Sequence, residues 1–95
     1  MHARLTYTQL VSGKSDEAVA IWHDKVAPVL KQKKGFKGAY LLGDREAGKG
    51  VTITLWETQA DAEAVNAALP EIFALFAGLF AAQPTVEELD VLLQV

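Results

Sequence analysis

Ninety-five residues, 51% hydrophobic and 22% charged, supply the apolar side chains for one packed core and leave no room for a second, so residues 1–95 are read as a single domain. A net charge of −3 offers no attraction to phosphate backbones or anionic lipid, which argues against nucleic acid and membrane surfaces as partners. The absence of cysteine excludes disulfides, thiolate metal ligands and a thiol nucleophile. No apolar leader and no run of about 20 apolar residues is present, which points to the cytoplasm.

In chain order, residues 3–11 (ARLTYTQLV) alternate Leu5 and Tyr7 with Arg4, Thr6 and Thr8, the pattern of a strand with one better-buried face. Ser12-Gly13 breaks it. A helix is expected from near Ser15, with Asp16 and Glu17 favouring its first turn and Val19, Trp22, Val26, Val29 and Leu30 forming one apolar stripe. Pro28 predicts a kink near Asp24, and Gly35 is expected to end the helix. The four lysines between Lys31 and Lys37 read as a solvated helix end.

Two β-rich runs follow at about 38–44 and 50–57, joined by a loop rich in glycine and charge, the signature of an antiparallel hairpin. That loop, Gly43 to Gly50, has the spacing G-x-x-x-x-G-K of a phosphate loop. Gly50 stands where a magnesium-holding hydroxyl belongs, however, and the segment leads into a strand instead of a helix. Thr58 then caps a helix running to about Leu69, Pro70 opens a second helical piece that Pro84 closes, and Leu89, Val91, Leu93 and Val95 mark a last strand. The order gives an α+β, ferredoxin-like βαββαβ fold with a four-stranded antiparallel sheet. Helices on one face leave the other open, and a second copy of the chain is the simplest cover, so a homodimer is expected.

Trp22 and Pro28, the run Gly35-Phe36-Lys37-Gly38-Ala39, and Leu55-Trp56-Glu57-Thr58 together resemble the antibiotic-biosynthesis monooxygenase family of dimeric α+β barrels over nearly the whole chain. The resemblance implies a barrel dimer and several chemistries: quinone-forming oxygenases that use no cofactor, haem-degrading enzymes, and domains without known activity. The haem branch is implied to depend on an Asn on the first strand and a Trp and a His in the second helical region. Alignment on Trp56 and Arg4-Leu5-Thr6 puts Ala3, Val65 and about Leu75 there, none able to ligate iron or bond a haem-bound oxygen. The oxygenase branch would need an apolar pocket, ring packing and donors aimed at a substrate anion.

The side chains of suitable kind are Tyr7, Trp22, His23, Tyr40 and Trp56, with Phe73 and Phe76 as further lining of a pocket between helices and sheet. Each has a plainer reading: core or interface packing for the tryptophans and phenylalanines, strand-edge phenols for the tyrosines, and a rim position for His23. His2, beside Met1, reads as frayed, and two histidines so far apart make no metal site. The expectation is a dimeric domain that binds a small molecule, a monooxygenase without cofactor acting on an aromatic or polyketide-like substrate. The alternative is a non-catalytic dimerisation or ligand-sensing module, and the residues alone leave open whether the chain is an enzyme.

Overall fold

The computed structural model describes residues 1–95. Strand β1 (His2–Gln9) is followed by a helical segment in three parts: α1 (Ser15–Ile21), a π-helical turn (Trp22–Val26) and α2 (Ala27–Lys31). A hairpin of β2 (Phe36–Asp44) and β3 (Lys49–Trp56) precedes α3 (Gln59–Glu63), a 3-10 turn (Asn66–Ala68), α4 (Leu69–Ala74) and β4 (Thr85–Asp90). The strands pair antiparallel in the order β2-β3-β1-β4, which is the ferredoxin-like arrangement.

Pro28 has no N–H to donate, and its ring would strike the Asp24 carbonyl in a regular α-helix. The irregularity takes the form of the π turn, in which the Ala27 N–H bonds to the Trp22 carbonyl five residues back. The helix ends at Lys31, sooner than expected, with Gln32 as its C-cap. Gly35 instead turns the chain into β2 with φ +80°, and a Cβ there would overlap the Asp61 carboxylate. Thr58 caps α3 as predicted, its Oγ1 accepting from the Asp61 N–H at 3.1 Å.

Two expectations for the C-terminal third are corrected. The helical piece after Pro70 stops at Ala74, because Phe76 and Leu79 both turn into the core and Gly78, at φ +81°, bends the chain so that Phe80 bridges to Leu10. The last strand stops at Asp90: the Val91 N–H bonds to the Met1 carbonyl, and Leu92, Leu93 and Val95 beyond it are exposed.

The two faces of the sheet differ in character. Period-two alternation sends Arg4, Thr6, Thr8, Thr52, Thr54 and Trp56 toward the helices. On the opposite face the cross-strand neighbours are Leu5 and Ile53, Tyr7 and Val51, Tyr40 and Ile53, and Leu42 and Val51. The face turned away from the chain's own helices is therefore the more apolar one. Tyr40 is 61% exposed, Leu42 52% and Leu89 50%. The core proper lies on the helix side, where Leu10, Ala18, Val26, Leu30, Trp56, Ala62, Val65, Phe76 and Leu79 pack together.

Candidate functional site

Between the helices and the polar face of the sheet lies a cavity of about 200 Å³. A space of about 150 Å³ takes a benzene ring and drug-sized ligands occupy roughly 300–1,000 Å³, so this one suits one or two fused rings. Its floor is the threonine-rich face, Thr6, Thr8, Thr52 and Thr54, whose hydroxyls can donate or accept. Its roof is apolar, formed by Trp22, Leu69, Ile72, Phe73, Phe76 and Phe80. Phe80 organises this roof, stacking on Phe76 at 5.6 Å between centroids and meeting Phe73 edge-on at 6.4 Å.

One end of the cavity is closed and the other open. Val26, Leu30, Trp56, Val65 and Arg4, all buried, close the first. Trp56 is held there by a hydrogen bond from its indole N–H to Thr54 Oγ1 at 3.0 Å and by an edge contact with Phe36. At the other end the lining residues Val19, Leu41, Gly43 and Arg45 are exposed.

Beside the closed end sits a buried polar network that the sequence did not suggest. Arg4 donates from Nε to Glu88 Oε2 at 3.0 Å, and from Nη2 to the Ala62 carbonyl at 2.9 Å and to Asn66 Oδ1 at 2.5 Å. His2 is 4% exposed, not frayed: its Nε2 lies 2.6 Å from Glu88 Oε1 and its Nδ1 3.5 Å from Asp90. Partial burial pushes the Glu88 carboxyl up, but hydrogen bonds from His2 and Arg4, with the charge of both, outweigh it and hold the group below its ordinary value. The one available signal was register, since pairing the first strand with the last puts Arg4 opposite Glu88 and His2 opposite Asp90.

The sequence-derived candidates divide. Trp22, Trp56, Phe73 and Phe76 line the cavity together. Tyr7 and Tyr40 lie on the other face of the sheet, and the Tyr7 hydroxyl donates to Glu87 at 3.1 Å, a bond that, with some desolvation and the carboxylate's charge, raises the phenol above its ordinary value. His23 stands outside the cavity, its side chain 86% exposed and paired with Asp24 at 2.8 Å. Of the three positions aligned with the haem branch, Val65 lines the cavity and Ala3 lies on the far face of β1, because the residues of that strand that look into the cavity are Arg4, Thr6 and Thr8. No group of three His, Cys, Asp or Glu side chains is placed to share a metal ion, and no helix is long and apolar enough to cross a membrane.

No family model matches the chain. An uncharacterised protein of Mycobacterium tuberculosis, Rv2557, is 33% identical over 94 residues, a match that covers 96% of this chain and 41% of the relative. The chain thus spans about two fifths of the length of the curated relatives it matches. Among solved structures, the haem-degrader MhuD of M. tuberculosis, with two haems in its active site, superposes with a TM-score of 0.76 at 22% identity, over 100% of this chain and 99% of its own. SnoaB of Streptomyces nogalater, a cofactor-independent oxygenase, gives 0.78 at 13% identity over 99% and 95%. The ActVA-Orf6 monooxygenase of Streptomyces coelicolor, bound to nanaomycin D, gives 0.76 at 14% identity over 99% and 89%. The chain has the ferredoxin-like α+β fold of the antibiotic-biosynthesis monooxygenases.

Proposed function

We propose that this chain is a homodimeric domain that binds a ring-bearing small molecule between its helices and its sheet, and that it oxidises an aromatic substrate there with molecular oxygen and no cofactor. The observation that carries the binding half is the cavity itself, an aromatic roof over a floor of hydroxyls. The solved structures of SnoaB and ActVA-Orf6 support the oxidative half, as proteins of the same fold named for oxygenation. The reaction class that needs no reductant converts a methylene conjugated to a phenol into a carbonyl. Loss of a proton gives a carbanion-like anion, dioxygen adds to that carbon, and the O–O bond breaks to leave one oxygen as the carbonyl and the other as water.

The lining contains no carboxylate and no imidazole to take the proton. The substrate must therefore be one that ionises readily, with the threonine hydroxyls of the floor stabilising the anion. Oxygen uptake with a one- or two-ring phenol that carries a conjugated methylene, compared with an anaerobic control and with buffer, tests this. The expected result is oxygen-dependent formation of the carbonyl product whose rate rises with pH along the substrate's own ionisation. No uptake above the buffer rate would reject the oxidative half.

The lack of a base also favours a second reading, a ligand-sensing module that binds the same kind of molecule without turnover. Ligand binding with no oxygen uptake at any pH would select it.

A further inference from the structure

Two hydrogen-bond donors at the closed end of the cavity have no acceptor in the protein. Arg4 and Thr54 are cross-strand partners on the helix side of the sheet, which puts their Cβ atoms about 5 Å apart, and both line the cavity. The Trp56 indole N–H donates to Thr54 Oγ1 at 3.0 Å. A hydroxyl that accepts in this way still carries its own proton, and no protein group takes it.

Arg4 is committed on one edge only. A guanidinium is planar, with Nε–H and Nη2 sharing one edge and Nη1 on the other. The first edge serves Glu88, the Ala62 carbonyl and Asn66, whereas Nη1 forms no bond to protein. Every polar side-chain atom sealed inside the molecule has a partner, so Nη1 borders open space although the Arg4 side chain is only 5% exposed. Glu88 stands on β4, at one flank of β1, and Thr54 on β3, at the other. The free edge of the guanidinium therefore turns toward Thr54 and the cavity.

Building on the binding reading above, we infer that Arg4 Nη1 and the Thr54 hydroxyl form a subsite for a carbonyl oxygen. The cavity then takes a one- or two-ring ketone oxygen first, with its rings under Trp22 and the phenylalanines and its apolar edge toward the mouth. A carbonyl oxygen has two lone pairs and accepts from both groups at once, whereas an N–H or O–H of the ligand in the same place would face two donors. A neutral acceptor suits the site better than a carboxylate. Glu88 already balances the Arg4 charge, and a second carboxylate at this buried end would lose its water without a cation of its own. Arg4 and Thr54 are thus specificity residues that set which way round the ligand lies, in the oxidising and in the sensing reading alike.

Loss of Arg4 would also untie β4 from α3, so the test variants are made at Thr54. Calorimetric titration of the intact chain uses 1-indanone and 1-methyleneindane, which carry an oxygen and a CH2 group at the same place. Thr54→Val is expected to weaken indanone about three- to tenfold, the worth of one hydrogen bond, and to leave methyleneindane unchanged, which also shows that the cavity is intact. Thr54→Ser should restore indanone affinity. The infrared C=O band of bound indanone reads the Arg4 half. It should lie at lower wavenumber than in hexane, and in Thr54→Val it should move only part of the way back, because Arg4 Nη1 still donates. Both probes weakened alike by Thr54→Val, a band at the hexane position in the parent chain, or a band that returns fully to it in Thr54→Val would overturn the two-donor subsite and leave the binding reading standing. No binding of either probe would overturn both.

Discussion

Arg4 and Glu88 face each other across β1 and β4, Nε to Oε2 at 3.0 Å, on the side of the sheet that carries the helices. The same guanidinium reaches the Ala62 carbonyl and Asn66, so one side chain ties the last strand to α3 and the turn that follows it. Arg4→Met is expected to destabilise the domain by about 2–4 kcal/mol, because it strands a carbonyl, an amide oxygen and a carboxylate that lose their shared donor. Denaturant unfolding measures this, and a loss below about 0.5 kcal/mol would mean that water replaces the guanidinium at no cost.

The Glu88 carboxyl, held below its ordinary value of 4.5, stabilises the fold only while it is charged. A group whose folded value is depressed contributes its stabilisation above the unfolded value and loses it as pH falls through the folded one. Melting temperature should therefore decline as pH is lowered below 4.5, and Glu88→Gln should show a shallower decline than the parent chain. Parallel melting curves for the two proteins across acid pH would remove Glu88 from the account.

Gly48 ends the hairpin turn at φ +70°, with its carbonyl accepting from the Leu10 N–H at 2.8 Å. A Cβ there would stand 2.7 Å from the Leu10 carbonyl oxygen, a backbone atom that cannot swing aside. Gly48→Ala should cost about 2–3 kcal/mol from the left-handed conformation and the clash together. Gly13→Ala, at a similar φ of +80° with open space around the position, should cost about 1 kcal/mol, isolating the conformational part. Equal losses for the two variants would mean that the turn relaxes away from Leu10.

Leu5, Tyr7, Tyr40, Leu42, Val51, Ile53 and Leu55 share a face that no element of this chain covers. The proposed homodimer uses this face as a self-complementary contact, with the Tyr7–Glu87 hydrogen bond near it. Light scattering at micromolar concentration should give twice the chain mass, and Ile53→Glu or Tyr40→Glu should shift it toward the monomer by placing a charge in the contact. A parent chain that scatters as a monomer would count against this assembly.

Period and punctuation made much of the fold legible before any coordinates. The alternation in LTYTQ and VTITLW, the three- and four-residue spacing from Val19 to Leu30, the Thr58 cap and the glycine-rich hairpin loop each act over a few residues, where local geometry decides. Trp22, Trp56, Phe73 and Phe76 could be named as pocket candidates for the same reason, being large apolar groups on predicted elements. The misreadings occur where a distant contact prevails over local preference. The helical pattern after Ala74 yields to burial of Phe76 and Leu79, and His2 is fixed by carboxylates 86 and 88 positions away.

Alternation by itself divided each strand into two sets of side chains, and nothing in it says which set meets the helices. Tertiary structure put the threonines and Arg4 under the helices and the leucines, valines and tyrosines outside, which moved Tyr7 and Tyr40 away from the cavity and exposed an apolar sheet face. The physical reason is that a strand's two faces become inequivalent only when the connecting helices cross to one side, and that choice depends on the packing of Trp22, Val65 and Phe76 against Trp56, contacts between residues far apart in the chain.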